Sequence, residues 1–256
     1  MKILSMLFML FFLCAAFSET ITNGLIASYT FTGNANDSQG GNNGSPVNGT
    51  YLTSDRSGNA NSAYGFDGND DYIDCGTSTV TQFVNNNSFS ISMWFKLTAD
   101  DERKPLIDRY RYGIEAGADE TLYFWIRTND SGTWTSSTAK YNSPLVSGQW
   151  YHAVGVYDDQ GTTQTVKLYL DGQLIESIAS DPLSNTYTYS NLFIGRSSHV
   201  GGIYYNGSLD EVLIYNRALS SAEVQTIYGP VPEPASCVLF FLALFSLWLI
   251  KKGRLL

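Results

Sequence analysis

The stretch Gly148–Ser177, GQWYHAVGVYDDQGTTQTVKLYLDGQLIES, leaves the chain few folds to choose from. From Gln149 to Tyr157 the side chains alternate, with Trp150, His152, Val154 and Val156 on one face and Tyr151, Ala153, Gly155 and Tyr157 on the other. A period of two belongs to an extended strand. The polar run Asp158-Asp159-Gln160-Gly161 turns the chain. Thr165–Leu170 returns as a second strand, with Val166, Leu168 and Leu170 sharing a face. Asp171-Gly172 is then a two-residue hairpin signal, because a type I′ turn needs two residues at positive φ. Gln173–Ile178 is the third strand, and the meander predicts the middle of an all-β domain.

Similar signals run through the rest. Strands are expected at Gly24–Phe31, Ala63–Phe66, Tyr72–Cys75, Ser88–Leu97, Lys104–Ile107, Tyr112–Ala116, Leu122–Arg127, Asn191–Gly195 and Leu209–Tyr215. In Leu122–Arg127, the stripe Leu122, Phe124 and Ile126 opposes Tyr123, Trp125 and Arg127. Asn34–Gly49, rich in Asn, Gly and Ser, reads as a long ordered loop or a set of turns. Ser220-Ser221-Ala222-Glu223 is a capping box that starts a short helix, Ser221–Tyr228, stopped by Gly229-Pro230. The 256 residues fit one large sandwich, and no internal repeat or second domain is evident.

Both ends differ from the middle. Met1–Ser18 has a Lys at position 2, an apolar run and Ala16-Phe17-Ser18, so it reads as a secretory signal peptide with the mature chain starting at Glu19. Phe-Phe-Leu before Cys14 is a poor lipoprotein site. At the other end, Gly229–Pro234 is a stiff Pro-rich linker, residues 235–250 are apolar and uncharged, and Lys251-Lys252-Gly253-Arg254 follows. As a helix the apolar run is roughly 24 Å long, short for a bilayer core of roughly 30 Å, with its basic end placed for the cytoplasmic side. The net charge of -9 excludes a basic footprint for nucleic acid. Of three cysteines, Cys14, Cys75 and Cys237, only Cys75 lies in the domain, so no disulfide staples it.

The segments WYHAVGVYDD, VKLYLDGQLI, LFIGRSS and YYNGSLDEVLIYNRALSSAEVQTIY resemble the concanavalin A-like, laminin-G-like jelly-roll family over Gly24–Tyr228. The resemblance implies a sandwich of two antiparallel sheets, and it is stronger for fold than for activity, since this sandwich hosts lectins, adhesins and glycosidases alike. Val231-Pro232-Glu233-Pro234, the apolar run and the basic end resemble the PEP-CTERM sorting signal of Gram-negative bacteria that make exopolysaccharide. That resemblance implies an integral-membrane exosortase as partner; a permanent tail anchor is the alternative. The expected layout is therefore signal peptide 1–18, jelly-roll domain 19–229 and sorting tail 230–256.

Family relatives often place one structural calcium between the N-terminal loop and an acidic residue at the start of the last strand, which points here to Asp37 and Asp210. The alternative is an Asx turn at Asp37 and a strand-end cap at Asp210. Asp67-Gly68-Asn69-Asp70-Asp71 is not an EF-hand start, since Tyr72 takes the place of the sixth-position Gly and Ser78 that of the closing Glu. Glycoside hydrolysis needs two carboxylates set across a sugar. The family's Glu-x-Asp-x-x-Glu strand motif is missing, and Glu115, Asp119 and Glu120 flank a Gly117-Ala118 turn. His152 reads as a packed strand histidine and His199 as a loop residue without a nucleophile beside it. Aromatic faces that stack on sugar rings, with polar groups to meet hydroxyls, are the remaining candidate chemistry. Trp125, Arg127, Trp134, Tyr204 and Tyr205 are the ligand-binding candidates, with Tyr187 and Tyr189 nearby in sequence. The resulting expectation is an exported, non-catalytic surface or matrix module that binds extracellular polysaccharide or a surface protein, membrane-anchored through its tail before processing. A glycoside hydrolase or lyase, and a purely structural matrix protein, are the alternatives.

Overall fold

The computed structural model describes residues 21–83, 87–98, 102–129, 135–183 and 190–229. The strands are β1 (Leu25–Tyr29), β2 (Ser45–Val47), β3 (Tyr51–Thr53), β4 (Ala63–Asp67), β5 (Tyr72–Asp74), β6 (Phe89–Leu97), β7 (Lys104–Arg109) and β8 (Tyr112–Ala116). They continue as β9 (Leu122–Asn129), β10 (Thr135–Tyr141), β11 (Trp150–Asp159), β12 (Gln164–Leu170), β13 (Gln173–Ser180), β14 (Phe193–Ile194) and β15 (Asn206–Tyr215). Helix α1 spans Ser221–Tyr228.

Two antiparallel sheets result. Sheet A runs β13-β12-β11-β6-β15-β4-β3, with β1 also on β15, and sheet B runs β10-β9-β8-β7-β14-β5-β2. All the strands lie in the unit Ile21–Gln225; of the second unit, which holds both chain ends, only residues 226–229 are described. The signal peptide and the sorting tail, including Val231, Pro232, Glu233 and Pro234, lie outside the described residues. Among the described residues no helix is long and apolar enough to cross a membrane.

The alternation that predicts the strands also builds the core. Phe89, Ile91, Met93 and Phe95 of β6 are fully buried, as are Ile114 of β8 and Leu122, Phe124 and Ile126 of β9. Gly155 belongs to the inward stripe of β11 because the facing sheet comes so close: a Cβ there would sit 2.3 Å from the Phe124 ring. Asp171 and Gly172 have φ of 49° and 75°, the two positive values the hairpin requires. In the capping box, the Ser220 N–H donates to Glu223 Oε2 at 2.8 Å and the Glu223 N–H returns to Ser220 Oγ at 3.3 Å.

Candidate functional site

The outer face of sheet A is covered at β6 and β11. Its outward residues Ser90, Val154 and Val156 are fully buried there, and the segment before α1 reaches Ser90, whose Oγ donates to Arg217 O and accepts the Leu219 N–H, both at 2.9 Å. His152 is buried as expected, with Nε2 2.8 Å from Ser92 Oγ, and burial lowers its pKa to about 3, so it is neutral at pH 7. Beside it Arg56 stacks over Trp94 at 4.3 Å and reaches Asp210 at 3.4 Å. Burial first, then the Glu211 charge, raises Asp210 to about 7. A bulge shifts the pairing of β15 with β6 just after Asp210, and Glu211 takes a φ of 45° there.

Sheet B presents the more open face. Strand register sets Asp108, Gly113, Trp125 and Thr138 side by side across β7, β8, β9 and β10, with Glu115, Tyr123 and Lys140 in the next outward row. Gly113 has a reason to be glycine: a Cβ would come 2.9 Å from the Trp125 ring, which lies across β8. Arg103 donates to Glu115 through Nε at 2.8 Å, and the Lys140 ammonium sits 5.3 Å from the Tyr123 ring centre. Loop 197–199 covers one side. Ser198 Oγ donates to Asp108 Oδ1 at 2.5 Å, and the His199 ring meets Trp125 edge-on at 5.3 Å. Between these groups lies an open pocket of about 270 Å³, with Ser136 and Thr138 contributing hydroxyls.

Electrostatically the site is mixed. Asp108 is 1% exposed, and burial raises its carboxyl to about 7 against the pull of Ser198. Burial, then the Arg103 and Arg127 charges, lower His199 to about 4, so its imidazole is neutral at pH 7. The pocket therefore offers aromatic surface, hydroxyls, one ammonium and an Arg-paired carboxylate. That combination suits a polyol more than an apolar ligand.

Of the residues expected to bind ligand, Trp125 forms part of this wall. Arg127 shares its face and stacks over Tyr110 at 4.5 Å. Tyr204 packs 6.3 Å from Tyr72 of β5 in the same sheet. Trp134, Tyr187 and Tyr189 lie outside the described residues. Tyr205 requires a correction: it is fully buried, its hydroxyl donates to Lys96 O at 3.0 Å and its ring meets Phe66 edge-on at 5.7 Å. Adjacent aromatics in an extended segment point to opposite sides, so only one of the Tyr204-Tyr205 pair faces out.

Asp37 and Asp210, expected to share a calcium, meet different surroundings. Asp37 accepts the N–H groups of Ser28 (2.8 Å), Gln39 (2.9 Å), Gly40 (3.0 Å) and Asn42 (3.1 Å). Burial would raise its carboxyl, but these bonds hold it below the usual value. Asp210 faces Arg56 and its neighbour's N–H, with Glu211 N at 2.7 Å. The backbone nest supplies Asp37 with positive charge, whereas Asp210 shares Arg56 with Glu211 and its carboxyl stays raised.

Sequence reasoning missed Ser136, Thr138 and Lys140. Strand β10 reads TSSTAKY, and Ala139 is its one fully buried side chain, so the apolar alternation that reveals a strand is nearly absent. The only sequence hint is that lone small apolar residue between polar neighbours.

Residues 67–225 match the model of the Concanavalin A-like lectin/glucanases superfamily. No curated protein matches the sequence. Among solved structures, domain 4 of AbnA, a GH43 extracellular arabinanase from Geobacillus stearothermophilus, in complex with arabinotriose, is similar at 20% identity. The likeness covers 80% of this chain and 98% of that one, with a TM-score of 0.62. The receptor-binding domain of botulinum neurotoxin C/D mosaic serotype is similar at 15% identity and a TM-score of 0.60, over 80% of this chain and 51% of that one. A structure of botulinum neurotoxin type C, which depends on interaction with two ganglioside molecules to enter cells, is similar at 16% identity, over 80% of this chain and 50% of that one, with a TM-score of 0.60. The chain thus spans about half the length of the toxin domains. The family match over these residues, on two antiparallel sheets, places this chain in the concanavalin A-like lectin/glucanase superfamily.

Proposed function

We propose that this chain is an exported, non-catalytic module that binds carbohydrate on the outer face of sheet B, in a cell-surface or extracellular-matrix role. The observation that carries the reading is the pocket where Trp125 and Tyr123 stand beside the Ser136 and Thr138 hydroxyls, Glu115 and Lys140. The arabinotriose complex of the AbnA domain and the ganglioside dependence of the toxin lend it support by analogy of fold. The signal-peptide pattern and the Val231–Pro234 tail motif support export and sorting by an exosortase, with the tail as membrane anchor until it is cut.

The alternative, a glycoside hydrolase or lyase, would draw on Glu115, Asp119 and Glu120, or on Asp108 beside Glu115. Glu115 is held by Arg103, Asp108 is buried beneath loop 197–199, and Glu120 sits in a turn with its N–H on Gly117 O at 3.0 Å. Asp108 and Glu115 share this face on paired strands, one buried and the other bound to an arginine, and the hydrolase reading would need both released onto a sugar. A purely structural matrix protein would self-associate with no glycan present.

Glycan-array screening followed by calorimetry, wild type beside Trp125→Ala, tests the reading. Saturable binding that Trp125→Ala weakens at least about tenfold is expected, the scale of one lost stacking contact and its desolvated surroundings. Absence of glycan binding, or equal affinity in the variant, overturns it. Release of reducing ends from a polysaccharide would establish the hydrolase instead. Intact mass of the exported protein reports cleavage at the tail.

A further inference from the structure

The turn from β4 to β5 carries Asp67-Gly68-Asn69-Asp70-Asp71 and passes the chain from sheet A to sheet B. Tyr72 at the sixth position rules out an EF-hand path, yet the fold still gathers the acidic residues. One carboxylate oxygen from each of Asp67, Asp70 and Asp71 lies within 4.8 Å of the others. Asp67 and Asp70 are exposed, whereas Asp71 is 1% exposed.

An acidic cluster alone would read as a solvated turn. The buried member makes the difference. Asp71 Oδ2 accepts the Asp67 N–H at 3.1 Å, but Oδ1 is buried and accepts no hydrogen bond. The Asp67 and Gly49 N–H groups pull on this carboxyl, and neither brings a full positive charge. Among the described residues, no Lys or Arg forms an ion pair with any of the three. Asp67 has donors of its own, accepting the Asn69 N–H at 2.8 Å and its Nδ2 at 2.9 Å, so the buried Asp71 oxygen is the member of the cluster that stands out. Among the described residues no cationic side chain meets that Asp71 oxygen, and an unpaired buried carboxylate oxygen is costly.

We propose that Asp67, Asp70 and Asp71 bind one calcium ion, which clamps the crossing between the two sheets. Oxygen ligands without His or Cys suit a hard cation rather than zinc. Calcium tolerates an irregular, partly hydrated shell, and this shell faces solvent through two exposed carboxylates; magnesium demands a tighter octahedron. The open shell places the affinity in the weak extracellular class, with a Kd on the order of 10⁻⁴–10⁻³ M. The site is separate from the sheet B pocket and does not depend on the glycan reading.

The test uses the full chain, stripped with chelator and dialysed, then titrated with CaCl2 while calorimetric heat and the thermal midpoint are followed. One site per chain is expected, with the midpoint rising at about 10 mM calcium by an amount the measured Kd predicts. Asp70→Asn should weaken binding about tenfold or more, and its calcium-free midpoint should stay near wild type, since Asp70 is exposed. Asp210→Asn should leave calcium affinity unchanged. Lack of both heat and midpoint shift at 10 mM calcium overturns the proposal. So does wild-type affinity in Asp70→Asn, or loss of binding in Asp210→Asn. Magnesium binding as tight as calcium overturns the assignment of the ion.

Discussion

Replacing Asp108 by Asn should change how stability depends on pH. Asp108 sits on the outward side of β7 under loop 197–199, where burial raises its carboxyl from 3.8 to about 7. The folded state therefore binds this proton more tightly than the unfolded chain does. Its stabilisation is complete below pH ~4 and is lost as pH rises through about 7. A shift of roughly three units corresponds to about 4 kcal/mol at 1.36 kcal/mol per unit. The profile of the wild type alone is not diagnostic. Asp210, also raised to about 7, acts with Asp108. His152 and His199, lowered to about 3 and about 4, act against it, because the unfolded chain binds their protons first and stability is lost as pH falls below about 6.5. The difference between variant and wild type removes these shared contributions. Asn keeps an acceptor for Ser198 Oγ and cannot ionise, so the variant should gain on the wild type by about 2–4 kcal/mol between pH 4 and pH 8. The lower end allows for the Arg103 charge, which pulls the carboxyl back down. Urea unfolding at several pH values, read by tryptophan fluorescence, measures it. A difference flat to within about 1 kcal/mol would show that Asp108 stays ionised in the fold and would refute the burial argument.

Two further outcomes follow from the packing. Asp37→Asn removes the charge that accepts four backbone N–H groups and turns an amide donor towards them, so it should cost about 2–4 kcal/mol in urea unfolding; a change under about 0.5 kcal/mol would show that the nest is not stabilising. Gly155→Ala sets a methyl 2.3 Å from the Phe124 ring, a shift the facing sheet must absorb, and should destabilise by about 1–3 kcal/mol; unchanged stability would mean that the sheets are less closely packed than described.

The alternation in Gly148–Ser177 was enough to establish the β-meander, and Asp171-Gly172 and the Ser220–Glu223 box were legible because their signals are local: a turn conformation and a cap depend on a few adjacent residues. The inward stripe Leu122, Phe124, Ile126 was legible for the same reason. Which outward face stays open was not. The outward residues of β11 include Trp150, His152 and two valines, those of β9 include Tyr123, Trp125 and Arg127, and the patterns differ little. Only the tertiary structure buries the first, with the segment before α1 bonded to Ser90 of the neighbouring strand, and leaves the second beside Lys140 and His199, residues distant in sequence. Asp37 and Asp71 make the same point: both are acidic residues in Gly- and Asn-rich turns, yet one is ringed by N–H donors and the other keeps a buried oxygen without one. Periodicity records which way each side chain points relative to its own strand. What meets it there is decided by strands that pair across the whole chain.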